Sequence, residues 1–118
     1  GNQYREVPLN KSAKKAIEAY LKTKKSLKSN DYLFTTRNNK PMIIRNIRQI
    51  LSRCFQEVEI NNATVNDLRN TFIVYQLSAG VSADYIAKIV GHKRLSSTER
   101  YLSLASSQGE KKQKLEEL

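Results

Sequence analysis

One short stretch, residues 90–102, holds most of the residue types in this chain that could do chemistry. It contains His92, the only histidine of the chain, and Tyr101 nine positions later. An imidazole and a phenol can move protons, and clustered cations attract an anion. Taken alone, however, the stretch favours a structural interpretation, because a histidine after a glycine often caps a helix and a tyrosine at helical spacing often packs in a core. The cations around the two residues are Lys93, Arg94 and Arg100.

Net charge predicts the kind of partner that this chain binds. Its 118 residues include 21 Lys and Arg against 11 Asp and Glu, a formal net charge of +10. A surplus of this size attracts a polyanion through counterion release, and nucleic acid is favoured over anionic lipid. Apolar runs fall short of the roughly twenty residues of a membrane span, and the first residues, GNQYREV, lack the apolar segment of a signal peptide. We therefore expect a soluble, cytoplasmic protein with no membrane partner.

Cysteine content argues against a metal site. Cys54 is the single cysteine, so an internal disulfide is excluded, and one cysteine with one histidine cannot supply the usual zinc ligands. The helical pattern around Cys54 predicts a packed core position. The sequence also contains no glycine-rich phosphate loop and no internal repeat. We expect neither a metal nor a cofactor.

The length fits one domain, and the pattern predicts a mainly α fold with a small β element. Residues 4–9, YREVPL, alternate in the manner of a short strand, and residues 32–34, YLF, predict a second short strand or an extended link. Between them Asn10 is expected to cap an amphipathic helix whose outer face is rich in lysine. The apolar positions of this helix are Ala13, Ala16, Ile17, Tyr20 and Leu21.

A second helix, after Pro41, carries two distinct sets of side chains. One set recurs at helical spacing and predicts a core face, whereas the other could meet DNA. The core set is Ile44, Ile47, Leu51, Cys54 and Val58. The second set is Arg45, Arg48, Ser52 and Gln56.

Two further helices precede the stretch with the histidine. The third is expected from about Asn66 to Ala79, with Gly80 as its stop. Ser82 is expected to cap a short fourth helix, which Gly91 ends. Residues 98–104 add one or two turns. The predicted inward positions are Leu68, Phe72, Tyr75 and Ala79 on the third helix and Ile86, Ile89 and Val90 on the fourth.

Two motifs, TVNDLRNTF at 64–72 and VGHKRLSSTERYL at 90–102, together resemble the C-terminal signature of the tyrosine recombinases, the phage-integrase type of DNA strand-transfer enzyme. That signature has an H-x-x-R box, then G-H, then T-x-x-Y. The resemblance covers roughly residues 4–105 and reverses the structural interpretation of residues 90–102. The matching residues are Asn66-Asp67-Leu68-Arg69, Gly91-His92 and Thr98-Glu99-Arg100-Tyr101.

The resemblance implies a fold and a domain plan. Residues 1–105 would be the C-terminal part of a recombinase catalytic domain that is truncated at its N-terminus. Residues 106–118 would be a polar tail, either flexible or docked on a neighbouring subunit through Leu115 and Leu118. The full-length protein is expected to act as a homotetramer on two paired sites in double-stranded DNA, and the isolated fragment is expected to be a monomer. The source would be bacterial or phage-encoded, as for a mobile genetic element, with the protein associated with the nucleoid.

Catalytic roles also follow from the resemblance. Tyr101 would attack a DNA phosphate and form a 3′-phosphotyrosyl bond, so that strands are cut and rejoined without metal or ATP. Arg69 would bind two phosphate oxygens through its planar fork, and His92 would donate a hydrogen bond to the same phosphate. The residues expected to contact DNA are Lys93, Arg94, Arg100, Arg45 and Arg48.

This chain departs from the family pattern in three respects. Asn66 stands where the H-x-x-R box has histidine, and an amide cannot carry a proton at neutral pH. The family's catalytic arginine of an earlier box and the catalytic lysine of its hairpin both fall before residue 1. Since each lost transition-state contact costs a few kcal/mol, we expect residues 1–118 to fold but not to cut DNA alone.

Two other functions fit part of the sequence. A non-catalytic helix-turn-helix DNA-binding regulator would explain the spacing of Ala87 and Gly91, although Ser97 stands where its recognition helix needs an apolar anchor and Arg69 has no role in it. A lysine-rich RNA-binding module would explain the charge but lacks an aromatic stacking platform. Replacement of Tyr101 by phenylalanine discriminates between these functions, because it would abolish only recombinase activity.

Overall fold

The computed structural model describes residues 4–105 and residue 115. The fold is mainly α, as predicted, and β structure among the described residues is limited to isolated bridges, one of them between Thr35 and Pro41. The predicted tail, 106–118, lies outside the described residues except for Leu115, which is half-buried. The helices are α1 (Lys11–Lys22), α2 (Ile44–Glu57), α3 (Val65–Ser78), α4 (Ala83–Val90) and α5 (Ser96–Glu99), followed by a 3₁₀ turn at Leu102–Leu104.

The described residues form two compact units, which are considered separately. The first unit contains residues 4–23 and 70–105, and the second contains residues 24–69. None of the described helices is long and apolar enough to cross a membrane.

In the first unit the core lies between the C-terminal part of α3 and α4. Both caps of α4 form as predicted: Ser82 accepts a hydrogen bond from the Tyr85 amide at 3.3 Å, and Gly91 ends the helix at a φ of 77°. Ile86, Ile89 and Val90 are buried, which confirms the predicted inward face. The core cluster consists of Ile73, Leu77, Val81, Ile86 and Val90.

The predicted inward stripe of α3 is confirmed at Phe72, which packs half-buried against the core, but it is wrong at two other positions. Leu68 and Tyr75 are 45% and 42% exposed, whereas Ile73, Leu77 and the polar Gln76 are buried. Apolar residues are distributed around most of this helix, so periodicity does not select one face. The face that packs is decided by tertiary contacts with α4.

The beginning of the chain contains one confirmed prediction and one error. Asn10 caps α1 as expected, and its Oδ1 accepts a hydrogen bond from the Ala13 amide at 2.9 Å. Residues 4–9, however, form no strand and are exposed. A strand requires a hydrogen-bonded neighbour as well as alternation, and Pro8 removes one donor. Residues 32–34 likewise form no strand, and the bridge follows them at Thr35.

The second unit corrects the predicted core face of α2. Ile44 and Val58 are 69% and 63% exposed, Ile47 is 41% exposed, and Cys54 is also exposed. Leu51 alone of the predicted set is half-buried. An amphipathic pattern predicts which face of a helix is apolar but not whether other residues cover it. The core assignment of Cys54 was therefore wrong.

Candidate active site

Tyr101 follows α5 and holds its phenol oxygen between two polar side chains. The ring packs partly buried against the core of the first unit. Its hydroxyl donates a hydrogen bond to Oδ1 of Asn70 at 2.9 Å and accepts one from Nη2 of Arg100 at 3.0 Å. The guanidinium carbon of Arg100 also lies 5.0 Å from the centre of the Tyr101 ring, within cation–π range. Packing and two hydrogen bonds thus fix the position of the phenol.

His92 is held through both its backbone and its ring. Its amide donates to the carbonyl of Ala87 at 2.9 Å, and the amide of Gly91 donates to the same oxygen at 3.0 Å. Imidazole Nδ1 lies 2.6 Å from the hydroxyl oxygen of Thr98. His92 therefore does follow a helix C-cap, as the structural interpretation proposed, and its ring is oriented by a specific partner.

Thr98 connects the two candidate catalytic residues. It is fully buried, and its amide donates to the carbonyl of Leu95 at 2.9 Å. Its hydroxyl holds the ring of His92, while its carbonyl accepts the amide of Tyr101 at 3.0 Å. One buried residue thus fixes both the imidazole and the backbone of the tyrosine.

Arg5 lies over the turn that precedes His92. A Cβ atom placed on Gly91 would stand 3.0 Å from Nη1 of Arg5, tighter than ordinary van der Waals contact. Gly91 is needed there because its φ of 77° is strained for any other residue, and a Cβ would in addition require the end of the Arg5 side chain to shift. A further cation therefore lies beside this turn.

The start of α3 belongs to the second unit. The carboxylate of Asp67 accepts hydrogen bonds from the amide and the hydroxyl of Thr64 at 2.7 and 2.8 Å. These bonds lower the pKa of Asp67, because they stabilise its charged form. They also hold the first turn of the helix. Asn66, directly before Asp67, and Arg69, two residues after it, both have exposed side chains.

A cavity in the second unit brings together two of the predicted site residues. Arg48 of α2 and Asn66 of α3 both line it, with apolar walls from Leu51, Phe55 and Val65. Arg45 and Arg48 also line a shallower depression along α2. Both arginines are exposed, so their charges are available to an anion.

The sequence motif predicted the site in the first unit only in part. The structure brings His92, Arg100 and Tyr101 together through Thr98 and Asn70, while Lys93 and Arg94 lie exposed beside the histidine. Sequence reasoning missed the contacts of Asn70 and Arg5. The position of Asn70 directly after Arg69 was the one available signal for it.

Among residues 4–105 and 115, no three His, Cys, Asp or Glu side chains cluster in a manner that could hold a metal ion.

Comparison with known proteins decides the family. The sequence model of the phage integrase family matches residues 1–108. The chain belongs to the phage integrase family. As a member of this family it resembles the tyrosine recombinase XerC of Staphylococcus epidermidis, with 29% identity over 111 residues, 92% of this chain and 38% of the relative. It is 32% identical over 106 residues to XerC of Shewanella sp. strain ANA-3, which covers 88% of this chain and 36% of the relative.

A solved structure is also similar to this integrase-family chain. The crystal structure of XerA recombinase superposes with a TM-score of 0.76 at 27% identity, over 86% of this chain and 38% of that one. The chain thus spans less than two fifths of the length of the relatives that it matches. These relatives are recombinases by name, and a helix-turn-helix regulator is not favoured.

Proposed function

We propose that the protein containing this chain is a site-specific recombinase that cuts and rejoins DNA strands through Tyr101. The observation that carries the proposal is that hydrogen bonds from Arg100 and to Asn70 fix the phenol oxygen of Tyr101. Tyr101 also lies three residues after Thr98, whose hydroxyl contacts the ring of His92. Support also comes from family membership and from the net charge of +10, which favours a polyanionic substrate.

The proposed reaction exchanges one phosphate ester for another. The oxygen of Tyr101 attacks a DNA phosphorus while the phenol loses its proton. The bond from phosphorus to the 5′ oxygen breaks, and that oxygen takes up a proton, which balances the one that the phenol gives up to solvent. The product is a 3′-phosphotyrosyl ester with a free 5′-hydroxyl, and attack by a 5′-hydroxyl on this ester rejoins the strand. Because the energy of the broken ester is kept in the new one, the cycle requires no ATP.

The contacts of Tyr101 separate positioning from proton transfer. An amide oxygen accepts a hydrogen bond but does not take up a proton at neutral pH, so Asn70 orients the phenol without acting as its base. Arg100 donates to the same oxygen, and its positive charge favours the phenolate that develops during attack. In this proposal His92 donates a hydrogen bond to the phosphate.

The remaining assignments rest on the family pattern. Arg69 would bind non-bridging phosphate oxygens with its planar fork, and Asn66 would donate an amide hydrogen bond where the family has histidine. Lys93, Arg94, Arg45 and Arg48 would contact the DNA backbone, since all four are exposed cations.

Assembly and domain roles are part of the same proposal. The full-length protein would act on double-stranded DNA in the cytoplasm as a homotetramer on two paired sites, whereas the chain alone would be a monomer. Residues 1–105 would form the C-terminal part of the catalytic domain, and residues 106–118 would be a polar tail, either flexible or docked on a neighbouring subunit. Light scattering of the full-length protein with and without its paired sites would test the tetramer.

Covalent capture tests the central claim. The full-length natural protein is incubated with a duplex carrying its cleavage site and a nick beside the scissile phosphate, so that the cut piece diffuses away. The site is first identified by capture of genomic DNA fragments. We expect a protein–DNA adduct on a denaturing gel with the intact protein and none with Tyr101→Phe. Equal DNA binding by both without any adduct would contradict the proposal and favour a binding protein.

A further inference from the structure

We propose that Thr98 is a positioning residue that fixes both the orientation and the tautomer of His92. The inference rests on the proposed function and deepens it. Its starting point is the 2.6 Å contact between the Thr98 hydroxyl and imidazole Nδ1. Thr98 itself would touch neither the DNA nor the reacting atoms.

The 2.6 Å distance by itself leaves the direction of the hydrogen bond to the tautomer of the ring. Thr98 is 0% exposed, so its hydroxyl hydrogen cannot reach solvent and needs an acceptor inside the protein. In a neutral imidazole one nitrogen accepts and the other carries the hydrogen. In the proposed arrangement the Thr98 hydroxyl donates to Nδ1 rather than to a backbone carbonyl, which makes Nδ1 the acceptor and places the ring hydrogen on Nε2. The ring then presents Nε2–H as a hydrogen-bond donor, which is the role that the phosphate chemistry requires.

Backbone contacts explain why Thr98 can hold the ring accurately. Its amide is tied to the carbonyl of Leu95, and its own carbonyl accepts the amide of Tyr101. The backbone of His92 is tied separately to Ala87. The hydroxyl of Thr98 thus joins the histidine to the short helix that carries the tyrosine. Without that hydroxyl the ring would lose this link to the helix of the tyrosine while its backbone stayed in place.

Two substitutions separate the hydroxyl from the volume that it occupies. Thr98→Val has nearly the same shape but no hydroxyl, whereas Thr98→Ser keeps the hydroxyl and loses a methyl group. In the full-length protein acting on the nicked duplex, we expect Thr98→Val to lower the maximal single-turnover rate constant of adduct formation about 10- to 100-fold, since misplacement of a catalytic group by ~1 Å has effects of this order. The concentration that gives half of this rate should change little. Thr98→Ser should restore most of the activity. Equal maximal rate constants for the valine variant and the intact protein would overturn the proposal.

A double substitution distinguishes positioning from a general structural role. If Thr98 acts through the ring, Thr98→Val should have no further effect on adduct formation in a His92→Ala background. An effect as large as in the intact protein would show that Thr98 acts by another route, and would also overturn the proposal.

A direct measurement of the ring does not depend on activity. Nitrogen-15 spectra of the full-length protein, with the imidazole assigned by its loss in His92→Gln, report which nitrogen carries the hydrogen. We expect the Nε2–H tautomer at a pH where the ring is neutral, and a mixture of tautomers in Thr98→Val. A ring with its hydrogen on Nδ1 in the intact protein would contradict the proposal, even if Thr98→Val failed to fold. If the intact protein forms no adduct, the recombinase function fails, and the spectrum still decides the role of Thr98.

Discussion

The hydroxyl of Tyr101 donates a hydrogen bond of 2.9 Å to the side-chain carbonyl of Asn70, which lies 31 positions earlier in the sequence. This bond ties the proposed nucleophile to helix α3, and it joins two half-buried side chains. An amide acceptor holds a phenol without competing for its proton. Asn70 therefore determines where the oxygen of Tyr101 lies before DNA binds.

Loss of the Asn70 side chain should slow cleavage more than it weakens DNA binding. We expect Asn70→Ala to lower the rate of adduct formation about 10- to 100-fold, because the phenol is no longer oriented. Single-turnover cleavage of the nicked duplex measures the rate, and fluorescence anisotropy measures the affinity. Asn61→Ala, at an exposed turn, is the matched control and should behave as the intact protein does. A loss of affinity without a change in the rate of the bound complex would contradict this prediction.

A side chain at Gly91 should destabilise the protein. Gly91→Ala places an L-residue at a φ of 77°, which costs about 1–2 kcal/mol in the free energy of unfolding. The new methyl group also meets the flexible end of Arg5 at 3.0 Å, and that group can move aside at small cost. Urea denaturation of Gly91→Ala, alone and combined with Arg5→Ala, tests both points. We expect the second substitution to recover only a minor part of the loss, and full recovery would show that the clash rather than φ dominates.

Local interactions explain which parts of the structure the sequence predicts well. The caps at Asn10, Ser82 and Gly91 depend on residues within three or four positions, and all three form as expected. The strand at residues 4–9 depends on a neighbouring strand, and the burial of the apolar face of α2 depends on what covers it. Neither condition can be read from the local pattern, and both predictions were wrong.

In the candidate site, too, contacts between residues that are close in sequence are more predictable than contacts between distant ones. His92, Thr98 and Tyr101 lie within ten residues, so a local motif predicts them as one group. The partnership of Asn70 with Tyr101 spans 31 positions and was not predictable from spacing. The hydroxyl contact from Thr98 to His92 required the turn at Gly91, whose exact course only the structure describes.

Acid should weaken the first turn of α3. Hydrogen bonds from Thr64 stabilise the charged form of Asp67, so the pKa of this carboxylate is lower in the folded protein than in the unfolded chain. Its contribution to stability is therefore fully present above the unfolded value of about 3.9 and is lost as the pH falls through the folded value. We expect the urea midpoint of the intact protein to fall between about pH 5 and pH 2 more steeply than that of Asp67→Asn. Identical pH profiles of the two proteins would show that these hydrogen bonds do not stabilise the folded state. Because Asp67 is exposed, added salt should reduce the difference between the two pH profiles.

Arg100 and Lys93 should have separable effects, although both are exposed cations beside the proposed active site. Arg100 donates to the oxygen of Tyr101 and lies over its ring, so Arg100→Ala should lower the cleavage rate of the bound complex about tenfold or more. Arg100→Lys should recover little, because an ammonium group lacks the planar fork that makes both contacts.

Lys93→Ala removes a charge without touching the nucleophile, so it should weaken DNA binding. The slope of log affinity against log salt should fall by about one, and the cleavage rate of the bound complex should not change. Anisotropy titrations over a range of salt concentrations, with single-turnover cleavage at saturating protein, measure the two effects. Equal loss of binding in both variants with equal cleavage rates would mean that Arg100 is only a backbone contact.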